Sequence, residues 1–308
     1  MKPSDVARLV ALGLIWGSSY LFIKVALEDV RTLQLVALRL LLGAAVLLTL
    51  VRVKDLRLPE GRDAYRALAV MALLANVLPF ALITWGEERI TSSMTGVLNS
   101  TTPLFTAAIV VFALREERFT AGRLAGALLG FAGVGVILGF GDGDNELAGQ
   151  VAVVVAALSY AIAFVWARVK ITSRGLPPLV VAAATVGLSA LVMLPIALVD
   201  ALAAGGPEFG LAPWASLVAL GVLGTGLAYV LYYRLIGDIG PTSTSFVTYL
   251  IPIFAVALGW IVLDEGVGWD TLVGALLVVA GIAIAEQAAR SARAKAAATE
   301  SAPAATRR

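Results

Sequence analysis

Apolar residues in this chain come in unbroken runs about 20 residues long, the length a helix needs to cross a bilayer. Ten such runs can be drawn, at roughly residues 7–27, 33–51, 67–86, 93–114, 121–140, 148–167, 179–199, 214–236, 243–263 and 270–287. Most connections between them are short and polar or charged, such as Val51 to Tyr65 and Gly141 to Glu146. A β-barrel would read as short alternating segments instead. Composition agrees: 60% of the 308 residues are hydrophobic and 14% charged, against roughly 25% charge in a domain whose surface faces water. The expected fold class is an all-α membrane protein with ten transmembrane helices. The first run is a full span with no small-residue cleavage pattern after it, so no signal peptide is expected.

Lysine and arginine give the expected orientation. One set of alternate connections holds Lys2 and Arg8; Arg52, Lys54, Arg57, Arg62 and Arg66; Arg115, Arg118 and Arg123; Arg168, Lys170 and Arg174; Arg234; and Arg290, Arg293, Lys295, Arg307 and Arg308. The opposite set holds only Arg31 and Arg89. Basic residues concentrate on the cytoplasmic side of a membrane protein. Both termini are therefore expected in the cytoplasm, with the chain in a cell (inner or plasma) membrane.

The chain also repeats itself. The stretch from Ile90 to Leu138 resembles that from Ile239 to Ala285, with Pro103 on Pro252, Glu117 near Glu265, Gly126 on Gly274 and Gly133 on Gly281. Upstream, Trp16, Tyr20 and Lys24 match Tyr160, Phe164 and Arg168 at a constant offset, each trio stacked along one helix face. The expected halves are 1–141 and 146–287, followed by a basic, disordered cytoplasmic tail over 288–308. Five spans per half is an odd number, so the second half must sit inverted. The charges agree, since the connection with Asp264, Glu265 and Asp270 lacks the basic residues of its counterpart. Inverted repeats around a midplane site are a transporter architecture.

The opening ALGLIWGSSYLFIK, Arg39 in VALRLLLGAAVLL, the block PLFTAAI to REERFTAGRLAGALLGFAGV and its echo PIFAVALGW to DEGVGWDTLVGALLVVAGI resemble the ten-helix EamA-type branch of the drug/metabolite transporter superfamily. The resemblance runs from about Val6 to Ala285. It implies a basket of two inverted five-helix repeats around a central cavity. It also implies export of amino acids and related metabolites by alternating access, with drugs or other small organic solutes as the alternative. One departure is Gly266 after Glu265, where the family usually carries a basic or polar residue.

Candidate substrate contacts follow from polarity inside the spans. Ser92, Thr95, Asn99, Thr102 and Thr106 form one polar stripe along the fourth span, and Thr242, Ser245, Tyr249 and Pro252 repeat it in the ninth. Such groups in hydrocarbon need partners, so these faces should point inward. They either line a cavity or hydrogen-bond helix to helix, and Asn99 is the first choice for substrate contact. Prolines 103 and 252 should each free a carbonyl near midspan, that of Asn99 and that of Thr248. Aromatic candidates are Trp16, Tyr20, Phe80, Tyr160, Phe164, Tyr229 and Tyr233, whereas Trp85, Trp214, Trp260 and Trp269 near span ends read as an interfacial belt. Ser19 and Asn76 complete the set.

Lys24 and Arg39 are the clear basic residues inside spans. Lys24, near its helix end, is expected to snorkel to the headgroups; Arg39 either snorkels or binds a substrate carboxylate or a free carbonyl. Both are kept as charge contacts. No acid lies near the middle of a span, and the pairs Glu87-Glu88 and Glu116-Glu117 read as loop charges. Proton-coupled carriers usually need a titratable group on the pathway, so the expectation is movement down the substrate's own gradient. The glycines at 122, 126 and 130 are expected to pack helices within one repeat.

Other classes fare worse. The chain has no Cys and no His, which removes thiolate chemistry, imidazole metal ligands and the usual base for a membrane serine nucleophile. An enzyme is not expected. A lipid scramblase needs no titratable group and stays as the reading from a different class. No cofactor, metal or nucleic acid is expected; the expected partners are a small-molecule substrate and membrane lipid, with a monomer as the working unit.

Overall fold

A computed structural model describes residues 2–110, 121–138, 144–208 and 210–301. Six helices are long and apolar enough to cross a membrane: Pro3–Ala26, Thr32–Val53, Arg62–Glu87, Glu146–Arg174, Pro178–Ala204 and Leu211–Ile239. They are the first, second, third, sixth, seventh and eighth spans. The fourth is the pair Ser92–Asn99 and Thr102–Ile109, the fifth Ala121–Leu138, the ninth Pro241–Thr244 and Val247–Leu263, and the tenth Trp269–Ser301. Among the described residues every regular element is a helix. The loop with Arg115, Glu116, Glu117 and Arg118 lies outside them.

Local chemistry sets several ends. Pro3 and Pro178 open their helices, where a missing N–H costs nothing. Thr91 caps the fourth span by accepting from the Met94 amide at 3.2 Å. Gly240 ends the eighth at φ +80°, a conformation a side chain would strain. The tenth helix continues to Ser301, past residue 288 where a disordered tail is expected. Its Ala, Glu, Gln, Lys and Arg are good helix formers, which favours continuation over fraying.

The helices pack in a pattern that an exchange of the two halves leaves unchanged. The first span lies on the ninth as the sixth lies on the fourth, and the third lies on the sixth as the eighth lies on the first. The second and seventh pair with each other, as do the fifth and tenth and the fourth and ninth. Polar contacts sort the span ends onto two faces. Arg8 of the first span meets Asp238 at the end of the eighth, on what we term the terminal face. On the opposite, distal face the Gly210 amide before the eighth span donates to Asp29 after the first. There too, Arg31 and Gln34 of the second donate to Asp200 of the seventh.

The seam between fifth and tenth spans is made by glycine. A Cβ on Gly281 would lie 2.5 Å from both the Gly126 carbonyl and the Gly130 amide, and one on Gly133 would lie 2.7 Å from the Gly274 carbonyl. Higher numbers on one helix meet lower numbers on the other, so the two run antiparallel, as inversion requires. This corrects the expectation that these glycines pack within one repeat. Gly130 does meet Leu104 of its own half, but Gly126 and Gly133 serve the joint between halves. Gly281→Ala is expected to cost about 1–3 kcal/mol by overpacking, visible as a lowered Tm in detergent. Gly135→Ala, with open space around its Cβ, should melt as the wild type.

Candidate functional site

Polarity at the centre begins with two irregular turns. The third span widens to a π-helix over Leu73–Val77 and the eighth over Ala219–Leu227. Such bulges release carbonyls from the regular ladder and mark functional sites in helices. Each holds a buried polar side chain, Asn76 in one and Thr225 in the other, and the two stand 149 residues apart. Asn76 donates to the Ser189 hydroxyl of the seventh span at 3.1 Å, and Ser189 reaches the Ala72 carbonyl at 3.2 Å. In the other half Thr225 bonds the Leu220 carbonyl at 3.0 Å and accepts from Arg39 Nε of the second span at 3.1 Å. Ser189 stands 150 residues after Arg39. The two pairs are thus related by the repeat, with an arginine in one half where the other has a serine.

Arg39 is 7% exposed. Its guanidinium lies 4.1 Å above the Phe80 ring, one turn after Asn76. The phenols of Tyr160, Tyr229 and Tyr20 and the carboxyl of Glu87 are within its electrostatic reach. Among the described residues no carboxylate forms an ion pair with it and only Thr225 accepts from it, so its terminal amino groups carry unspent donors. It does not snorkel.

On Tyr20, Asn99 Nδ2 donates to the hydroxyl at 2.8 Å, while Asn99 Oδ1 is buried with no partner among the described residues. Ser19, one residue before Tyr20, is buried on the Ile15 carbonyl. A ladder of rings leads from this cluster towards the terminal face. Tyr229 stacks on Tyr233 at 6.1 Å, Tyr233 meets Tyr232 edge-on at 5.3 Å, and Tyr232 meets Trp16 at 5.4 Å.

Other candidates fall elsewhere. The fourth span is broken at Ser100 and Thr101, so Pro103 opens a second helix instead of kinking one. The Asn99 carbonyl is not free, because the Thr102 hydroxyl donates to it at 2.8 Å. Pro252 sits inside a continuous helix, and the ninth span breaks earlier, at Ser245 and Phe246. The prolines match in sequence but not in effect. Ser245 accepts through its carbonyl from Thr248 at 2.8 Å. Tyr249 meets Phe246 at 6.0 Å and packs with Val97, Leu98 and Leu104, away from Arg39. The Thr242 side chain lies outside what is described. Phe164 is 52% exposed, one turn beyond Tyr160.

At the distal face Lys24 turns inward instead of snorkelling, donating to the carbonyls of Glu87 at 2.6 Å and Ile90 at 3.0 Å. A second correction concerns the acid beside it. Glu88 is a surface charge paired with Arg89 at 3.0 Å, but Glu87 is 0% exposed. Neighbouring helices cover it, and position along a span cannot reveal which neighbour covers a residue. Thr225, Ser189 and Glu87 are the residues missed by sequence reasoning. The 149-residue register that carries Pro103 to Pro252 also carries Asn76 to Thr225, and would have found the first.

Comparison with known proteins places this geometry. The model of the EamA-like transporter family matches twice, over residues 6–139 and 147–286. The uncharacterized transporter YoaV of Bacillus subtilis (strain 168) is 26% identical, covering 89% of this chain and 94% of its own. An uncharacterized transporter of Archaeoglobus fulgidus is 27% identical over 87% of this chain and 92% of its own. The uncharacterized inner membrane transporter YedA of Escherichia coli (strain K12) is also 27% identical, over 86% and 83%. A solved crystal structure shares the fold at a TM-score of 0.65 and 19% identity, covering 94% of this chain and 99% of its own.

The Tyr20–Asn99 bond can be weighed by a double-mutant cycle. Tyr20→Phe and Asn99→Ala should be coupled by about 1 kcal/mol in detergent melts. Additive losses would mean that the bond is not made.

Proposed function

Because the chain belongs to the EamA-like transporter family, we propose that this membrane transporter carries small zwitterions, amino acids or close relatives, by alternating access, and that it is not an enzyme. The observation that supports this reading is the unbalanced polarity of the core. Among the described residues Arg39 has donors to spare and no carboxylate ion pair, and Asn99 Oδ1 is a buried acceptor with no donor. A substrate carboxylate would take the guanidinium fork in a charge-assisted bond. A substrate ammonium would take the Asn99 oxygen, with the Tyr20 phenol bridging the two. Phe80, Tyr160 and Tyr229 would supply the amphipathic wall for the side chain.

In this reading the two five-span halves, 1–141 and 146–287, rock about the glycine seam. The terminal face is cytoplasmic, as the basic residues favour, and the direction is export. The working unit is a monomer that needs lipid and a small-molecule substrate, without cofactor or nucleic acid.

The test is counterflow in liposomes with labelled aromatic, aliphatic and hydroxy amino acids, a sugar and a cationic dye. One amino-acid class should give saturable counterflow. Arg39→Gln should raise its KM roughly 10- to 100-fold, the worth of one charged hydrogen bond. Dye counterflow indifferent to Arg39→Gln would move the substrate to drugs. Flat solute traces with flipping of labelled lipid would move the function to scrambling.

A further inference from the structure

The distal face is held shut by a second set of contacts, and one group in it has no use in substrate binding. The loop after the ninth span sends Glu265 onto the start of the fourth. There its carboxylate accepts from the Ser92 amide at 2.7 Å, the Ser93 amide at 3.0 Å, and both serine hydroxyls at 3.0 and 2.8 Å. Lys24 of the first span ties the turn between third and fourth spans through the Glu87 and Ile90 carbonyls. Four spans meet here. Beneath them lies Glu87, fully buried, with both carboxyl oxygens lacking any hydrogen bond.

A carboxylate in that position would be an uncompensated charge in a dry interior, which is too costly to persist. Lys24 is the nearest candidate counter-ion. Yet its ammonium is spent on two carbonyls, one of them the backbone carbonyl of Glu87 itself. That choice makes sense when the carboxyl is neutral. The surrounding charges do not supply a substitute. Lys24, Glu265 and Arg39 are the charges within electrostatic reach, and Glu265 is already satisfied. The Tyr20 phenol is also within reach. The fourth span brings Ser92, Ser93 and Thr95, and the sixth brings Gln150 with Glu146 beyond it. On its own helix Glu88 and Arg89 pair with each other, and Asp200 of the seventh span is engaged by Arg31 and Gln34.

We propose that Glu87 is a proton-binding site of the distal gate, loaded from the solvent on that face each time the gate closes. With the face open, water reaches Glu87 and the carboxylate is ionised. Closure buries it, and it must first take one proton from solution to become the neutral acid. Gate closure is then driven by acid on the distal side, in a protein whose spans carry no acid at their centres. Its placing of distal as outside rests on the orientation proposed above, but the protonation itself does not.

The first experiment needs no substrate. Infrared spectra of the purified protein near neutral pH should show the C=O stretch of a protonated carboxylic acid that exchanges slowly in D2O. The band should be lost in Glu87→Gln, which mimics the neutral acid and should fold, and kept in Glu88→Gln. Absence of the band, or its survival in Glu87→Gln, overturns the proposal. The second uses the same liposomes with the solute that gives counterflow. Exchange by the wild type should change by up to about tenfold per pH unit applied to the distal side across the titration, and should be flat in Glu87→Gln. A wild type indifferent to distal pH, or a response to sodium in its place, also overturns it. If no solute is carried, the transport reading fails while the infrared result stands on its own.

Discussion

Hydrocarbon offers no water to a buried charge, and the single guanidinium of Arg39 sets the terms on which this core is built. A cation at depth costs about 2.5–3.5 kcal/mol on insertion scales. A charge-assisted bond returns about 1.5–3 kcal/mol, and a desolvated stack on an aromatic ring about 2 kcal/mol. Thr225 and Phe80 supply those two contacts. Thr225 lies within the π-turn of the eighth span, which frees polar groups where a regular helix would not, and Phe80 lies just after the π-turn of the third. Ser189 shows what the same position needs without a charge: one donor from Asn76 and the carbonyls of Thr185 and Ala72. The duplication made two equivalent polar pairs, and the arginine made one of them different.

Among the described residues the two faces are held by different contacts. On the terminal face the first and eighth spans meet through Arg8 and Asp238, a partly exposed ion pair, worth under about 1 kcal/mol. On the distal face Glu265 accepts four bonds from the start of a helix whose free amides favour an anion. The acid Glu87 lies buried beneath these distal contacts.

Much of the fold was legible because it rests on period and charge. Runs of about 20 apolar residues marked the spans, although the sixth and tenth helices run on past their apolar stretches to Arg174 and Ser301. The odd number of spans per repeat, with its switch from basic to acidic connections, gave the inversion that the antiparallel Gly126–Gly281 seam displays. Within the site, Tyr20 with Asn99 and Arg39 with Phe80 are legible because polar and aromatic groups inside a span must face protein. What was not legible depends on neighbours. Lys24 and Glu87 sit at span ends, where sequence suggests solvent, and only the cover supplied by other helices turns them inward. Pro103 and Pro252 align in sequence, and a threonine hydroxyl bridges the break in each span, but the break falls just before Pro103 in one and well before Pro252 in the other.

The central claim is that Arg39 holds a substrate carboxylate, and equilibrium binding tests it without any question of transport. Calorimetry on the purified protein would compare each amino acid of the panel with its amide, which keeps the ammonium and side chain but lacks the carboxylate. The account predicts that the amide of the bound amino acid is weaker by about tenfold or more, and that Arg39→Gln removes the difference. Equal affinities for acid and amide in the wild type would contradict it.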